Sequence, residues 1–554
     1  MAPRSSRLLG IAAALAIGLP TVGACGDGGG APADAAPDAE VPPPLAPLRM
    51  RRLLRRQYVN TVADLLGADV AEVANPPQDL AAHGFESIGA AELSLSDSAV
   101  AQYELSARAI AEIATGRGGP DLDQWVPCTP SSATDAACLQ AFIESFGKRA
   151  WRRPLSPDEA QRYLAVAMAA AAEYGSFQKG VEYALSGILQ SLNFLYQIEI
   201  GEPDPDDPGR LRLTGYEVAT RISYFLLDTT PSQSLMEAAE AGGLHAPDDI
   251  RDVARDLLSQ PGARAALDAF YDERFALRAL ATLPKDPAVF PEFSAELAGS
   301  MRQEAIELLN YIVWESDSDY RELLTARYAF VNGPLAAIYG VEPPVSPNAF
   351  EYRLLPDEQQ RAGILGQAAF LAGNAHPALT SPTRRGRFVA ERFLCLKIPP
   401  PPPDVVPELP ADPGMPETMR DKLQRHMMDP ACASCHSVMD PLGLVFEGFD
   451  GLGKYRTTDR GLPLDLTGEI ADLGSFNGPV EMADVLVSSP DFHSCWVKNM
   501  YRHATGHVEV WGETATLDGL TERFAGEGYR VRELLVELVA SEGFRFAAPP
   551  QEGQ

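Results

Sequence analysis

Cys432-Ala433-Ser434-Cys435-His436 combines residue types and spacing that can do chemistry. Two cysteines on one short turn can each form a thioether with a haem vinyl group. The histidine beside the second then lies under the iron as its proximal ligand. With 7 Cys and 8 His in 554 residues, a chance C-x-x-C-H is expected about once in a thousand such chains. One motif implies one covalent haem c, held by Cys432 and Cys435 and ligated by His436. Two other chemistries use a C-x-x-C pair. A closed zinc site needs two further ligands, which Cys395 and Cys495 could supply. A thioredoxin-type redox pair needs a βαβ context that this region lacks.

A sixth iron ligand must approach from the opposite face of the ring. Met439 follows His436 too closely for the chain to pass around the porphyrin edge. Met482, on a helix expected over Val480 to Ser488, is the first choice, and Met500, His503 and His507 on the next helix are alternatives. An open sixth position would instead suit a catalytic haem. Among the remaining cysteines, Cys128 and Cys138 close a short Pro-, Ser- and Asp-rich loop and are expected to form a disulfide. Cys395 and Cys495 either pair or remain buried thiols. No G-x-S-x-G, H-E-x-x-H or Gly-rich phosphate loop occurs, so hydrolase and nucleotide chemistry have no motif to rest on.

The elements that must position these residues read mostly as helices. Apolar residues recur at helical spacing over Leu53 to Leu66, Ser96 to Thr115, Asp135 to Arg149, Asp158 to Tyr174 and Phe177 to Ile200. The pattern continues over Thr214 to Leu227, Asp248 to Leu258, Ala263 to Leu280 and Glu292 to Trp314. Extended structure is expected only in a hairpin within Gly453 to Ile470, where Lys454 to Thr457 and Leu464 to Thr467 flank an Asp459-Arg460-Gly461 turn. The fold class is therefore mainly α: a multi-domain helical body, a C-terminal cytochrome c-like haem unit and a small β-hairpin. The expected units are residues 49–130, 131–205, 206–335, 336–414 (ending in a Pro-rich linker with five prolines at 399–403) and 415–547. No repeat of 20–50 residues is present.

Hydrophobic residues make up 45% and charged residues 22% of the chain, an ordinary globular balance. Lys and Arg number 46 against 76 Asp and Glu, a net charge of −30, which argues against nucleic acid as a partner and favours cationic ones. Three arginine clusters interrupt the acidity: Arg49 to Arg56, Lys148 to Arg153 and Arg384 to Arg387. They read either as helix-surface ion pairs or as holders of haem propionates or of a partner.

The N-terminus carries Arg4 and Arg7, then an apolar run from Leu8 to Leu19 that is too short to span a bilayer. Val22-Gly23-Ala24-Cys25 resembles a bacterial lipobox. Residues 1–24 are thus expected to be a signal peptide, Cys25 the lipidated first residue, and 25–48 a low-complexity tether. An exported, periplasmic or cell-surface lipoprotein follows, anchored to a membrane by lipid.

Several blocks together resemble a family of large exported bacterial proteins that chain domains of unknown function around a single c-type haem motif. They are Met50 to Gly67, Phe146 to Leu155, Tyr216 to Leu226, Arg361 to Leu365 with Thr380 to Pro382, Met439 to Gly443, Glu447 to Asp450, Gly453 to Arg456, and Tyr501 to His507. The resemblance spans nearly all of 49–545 and implies cytochrome c character and export, without a substrate. His503 and His507 stand where the family usually has an aromatic residue and an arginine. The expected function is one-electron transfer by a single covalent haem, with an unidentified redox partner. The alternatives are a haem oxidoreductase acting on a small molecule or polysaccharide, and a non-enzymatic binding protein with structural zinc.

Overall fold

The computed structural model describes residues 45–116, 122–400, 414–471 and 473–549. The expected signal peptide, Cys25, nearly all of the tether and most of the Pro-rich linker lie outside the described residues. The fold is mainly helical, and the sheets among the described residues have two or three strands. No helix among the described residues is long and apolar enough to cross a membrane.

Local signals set many of the helix starts. Ser96 caps Asp97–Thr115 and Asp135 caps Ala136–Trp151. Ser156 and Glu159 form a reciprocal box at the head of Pro157–Tyr174, and Thr214 and Glu217 do the same for Gly215–Leu227. In each case a side-chain oxygen satisfies an N–H that the first helical turn cannot.

Three expected helices are broken by tertiary demands. The run from Phe177 stops at Gln190, where Ser191 is extended and caps a short turn, Leu192–Leu195. Tyr196–Ile198 then pairs antiparallel with Met50–Arg52, because this aromatic and β-branched segment has a strand partner there. The run from Ala263 divides after Pro261–Arg274 at Ala276, whose φ of 54° is incompatible with a right-handed helix. The run from Glu292 begins only at Ala295, capped by Ser294, and after Asn310 continues as a π-turn, Tyr311–Glu315.

The hairpin is shorter than its sequence suggests: Thr458–Asp459 pairs with Leu462–Pro463 around Arg460 and Gly461. Both turn residues have positive φ, which matches the twist of a two-residue hairpin. A second hairpin, Thr467–Ile470 with Gly474–Asn477, follows at once. Phe546–Ala547 joins Leu211–Arg212 and Glu202–Pro203 in a three-stranded sheet, tying the chain's end to its middle.

Two large apolar clusters organise the body. One is built mainly from residues between Leu53 and Leu195. The other joins side chains from Leu213 through Phe544, with Phe85 and Ile88, so segments 206–335, 336–414 and 415–547 share one continuous core. A small third cluster holds Met419, Leu423 and Leu444. The arginine clusters are largely structural. Arg152 donates to the carbonyls of Asn193, Phe194 and Tyr196, and Arg51 to the Ala504 carbonyl at 2.8 Å. Arg56 sits among Asp228, Glu86 and Glu273.

Candidate functional site

The C-x-x-C-H motif lies in the helix Pro430–Leu444. Proline opens it without loss, since a first-turn N–H has no intrahelical partner, and the Asp429 carbonyl accepts from Cys432 N and Ala433 N. Spacings of three and four residues put Cys432, Cys435 and His436 on one helical face. Both cysteines are free and half-buried.

His436 Nδ1 lies 2.9 Å from Asp440 Oδ2, one turn along the same helix. Asp440 is fully buried. Its other oxygen accepts from the Thr383 hydroxyl at 2.8 Å, across from the helix Pro382–Phe393. The carboxylate therefore fixes the imidazole's orientation and leaves Nε2 as the free ring nitrogen, the arrangement in which a second partner orients a metal-binding histidine. The ring of His426 packs edge-on against His436 at 4.8 Å between centroids. Burial first, and then His436, hold His426 below the usual histidine range.

Two glycines permit this crossing. A Cβ on Gly386 would meet the Met439 carbonyl oxygen at 1.7 Å, and one on Gly443 would meet that of Pro382 at 1.8 Å. The helices thus touch backbone to backbone, which brings Thr383 within reach of Asp440. Below the crossing, fully buried Arg385 donates to the carbonyls of Phe446, Phe449, Asp450 and Leu371 at 2.7–3.2 Å. It pins the segment that follows the motif helix. Glu447 accepts from Thr380 at 3.0 Å and Arg456 at 2.9 Å, and burial pushes its carboxyl above the usual range.

A cavity of about 490 Å³ opens beside Asp440, within the ~300–1,000 Å³ of small-molecule and cofactor sites. The helix Met419–His426, the motif helix and the second hairpin enclose it, with Arg420, Met427, Leu444 and Glu481 in its walls. The donor set suits covalent haem: two reduced thiols one turn apart, and an adjoining histidine whose Nδ1 is already bonded.

Cys432, Cys435 and His436 do not line this cavity, and the other expected residues lie elsewhere again. Met482 is fully buried in the large core. It does not line the cavity, although its neighbour Glu481 does. Met500 and His503 face a small separate cavity with Phe225 and Phe270, and burial followed by Arg56 and Arg51 pushes His503 well below the ordinary histidine value. His507 Nε2 is 2.9 Å from Glu513 Oε1. Met439 is buried where its own peptide meets Gly386.

Cys128 and Cys138 are disulfide-bonded, with Cα atoms 5.7 Å apart. Cys395 and Cys495 are also bonded, Cα atoms 5.4 Å apart, so neither is a thiolate for a zinc site at the motif. No group of three or more His, Cys, Asp or Glu among the described residues could hold a metal ion.

Asp440, Thr383 and His426 are not singled out by the sequence. The four-residue spacing of His436 and Asp440 is a usable local signal for the first. Thr383 and His426 carry none.

Five family models match the chain in succession, each described as a protein of unknown function. They cover residues 51–116 (DUF1587), 138–199 (DUF1595), 213–341 (DUF1592), 361–459 (DUF1588) and 474–544 (DUF1585). The model over 361–459, named PSCyt3, contains both the motif and the helix that crosses it. No curated protein and no solved structure matches the chain.

Proposed function

We propose that this chain of five domains of unknown function is an exported c-type cytochrome, carrying one covalent haem and passing single electrons to a redox partner. The observation that carries the reading is the state of one helical face. Cys432 and Cys435 are unpaired while the four cysteines at 128, 138, 395 and 495 are bonded, and His436 is held by Asp440 through the nitrogen that iron does not need. Haem c, attached through Cys432 and Cys435 and ligated by His436, would supply an iron that exchanges one electron at a time. Asp440 holds the imidazole in a single tautomer and makes it a stronger donor. Thr383 keeps the carboxylate from turning away. Arg385 and the paired glycines keep the two helices rigid, which limits reorganisation when charge moves. The PSCyt3 designation over this segment supports the same reading. In this reading Cys25 carries lipid, residues 25–48 hold the body off a membrane, and a net charge of −30 favours a cationic partner.

The test is the absorbance spectrum of mature protein from a host with haem-attachment machinery. A thioether-haem spectrum that survives acid-acetone extraction is expected. Bare thiols at Cys432 and Cys435 in the peptide mass spectrum would overturn the reading.

A second reading, a haem oxidoreductase, draws on the cavity beside Asp440, whose walls also carry Gln424 and Asn477. Met482 does not reach those walls. Carbon monoxide binding to the reduced protein favours this reading, and its absence favours the carrier.

A further inference from the structure

The bridge between Cys395 and Cys495 spans 100 residues and joins the end of the helix Pro382–Phe393 to the helix Pro490–Thr505. Its surroundings are cationic. Arg274 is 1% exposed, and its Nη2 lies 3.7 Å from Cys495 Sγ. Its Nε has no hydrogen-bond partner. Among the described residues, no carboxylate forms an ion pair with Arg274; half-buried Arg392, three residues before Cys395, has Glu391 to favour its charge. Burial, then Arg392 and Arg502, disfavour the charge on Arg274. Asn499 Nδ2 adds a donor 3.1 Å from Cys395 Sγ and 3.5 Å from Cys495 Sγ. A buried cation without a counter-ion is costly, and a neutral disulfide does little to offset it. A thiolate at Cys495 would offset it directly. Cys395 itself sits at a φ of 53°, a left-handed conformation that strains a residue with a side chain. It is also the less buried member of the pair: Cys395 is half-buried, whereas Cys495 is 1% exposed.

We propose that Cys395–Cys495 is a thiol–disulfide exchange site for a dithiol reductant, with Arg274 stabilising the Cys495 thiolate on release. A thiolate of the reductant attacks Sγ of Cys395, the less buried of the two, and forms a mixed disulfide. The Cys395–Cys495 bond breaks, and its electron pair moves to Cys495 Sγ beside Arg274 and Asn499. The reductant's second thiol loses its proton and displaces Cys395, leaving the reductant as an intramolecular disulfide. Two electrons pass to the protein. One of the reductant's two protons ends on Cys395 and the other goes to solvent, while Cys495 remains a thiolate. A good leaving thiolate is what speeds and favours such exchange. Opening the bridge releases one end of the helix that carries Thr383. The site stands apart from the haem reading.

The test equilibrates the full mature protein with graded ratios of reduced to oxidised dithiothreitol. Acid quench, alkylation and peptide mass analysis then read each bridge, and circular dichroism checks that the fold persists. Cys128–Cys138 is the internal reference. Loop-closure entropy alone makes the bridge across 100 residues harder to open than the one across 10. The proposal gives the reverse order, with Cys395–Cys495 half-reduced at a ratio at least about tenfold less reducing. Arg274→Met, or Arg392→Met should the first variant fail to fold, is expected to shift that midpoint toward stronger reductant by a similar factor. Reduction of Cys128–Cys138 first, or a midpoint unmoved in whichever variant folds, would overturn it.

Discussion

The Thr383 hydroxyl donates to Asp440 across a helix crossing, at 2.8 Å from Oδ1, while Asp440 Oδ2 faces His436 Nδ1 at 2.9 Å. A residue outside the motif helix thus controls the carboxylate that controls the histidine. Under the proposed haem reading, a negative partner on His436 would favour the more positive, oxidised iron. Asp440→Asn keeps the side chain's size and removes its charge, so the midpoint potential should rise. Only the part of that effect that differs between the two oxidation states moves the potential, and a tenfold difference there corresponds to about 59 mV for one electron. Potentiometric titration should show a rise of tens of mV for Asp440→Asn and a smaller one for Thr383→Val. An unchanged potential in both would remove Asp440 from this role.

Alanine at Gly386 or Gly443 places a Cβ within 2 Å of a carbonyl oxygen on the opposing helix, by the 1.7 and 1.8 Å approaches found there. Backbone cannot give way as a side chain can, so each variant should lose at least about 1–3 kcal/mol, the usual cost of overpacking. A Cβ on Gly519, in the helix Thr514–Gly526, would meet nothing within 4 Å. Gly519→Ala should be neutral or stabilising by about 0.4–1 kcal/mol. Chemical denaturation of the three variants measures the contrast.

Buried Glu304 accepts the Tyr339 hydroxyl at 2.7 Å, and burial pushes its carboxyl up to about 8. The unfolded chain releases this proton near the ordinary glutamate value, while the folded chain keeps it. Between those two values the native state binds more protons than the unfolded one, so this group's contribution to stability falls as pH rises. It is fully present below the unfolded value and lost by the time pH passes about 8. The slope is at most about 1.4 kcal/mol per pH unit for one proton. Melting temperatures of wild type and Glu304→Gln between pH 5 and 9 should show a flatter profile in the variant. Parallel profiles would argue against a protonated Glu304.

Arg385→Met should destabilise strongly, because four main-chain carbonyls around the motif lose a charged donor at once. Hydrogen bonds from charged groups contribute about 1.5–3 kcal/mol each, without simple additivity, so a loss of more than about 3 kcal/mol is expected. Hydrogen exchange should rise first in residues 446–450. Uniform loosening of the chain would instead point to a general packing defect.

Much of the helical framework is legible in the sequence because its signals are local. Ser156 with Glu159, and Thr214 with Glu217, announce helix starts through side chains three residues apart. Where helical periodicity overruns the observed helices, at Ser191 and Ala276, a strand partner or a left-handed residue supplied by the tertiary fold overrides it. The His436–Asp440 spacing is readable in principle. The Thr383 contact is not, since it depends on two glycines that stand far apart in sequence and meet only at the crossing.

From the amino-acid sequence alone came the thiol-and-histidine motif, the mainly α class and the helix starts, all of which depend on residues within a turn or two of one another. Tertiary packing alone decided which hydroxyl holds Asp440, that Met482 is buried in the core rather than in the cavity wall, and that Cys395 meets Cys495 beside an arginine with no carboxylate partner. Those outcomes depend on how distant helices cross, and that is set by the fit of whole surfaces, which no local spacing records.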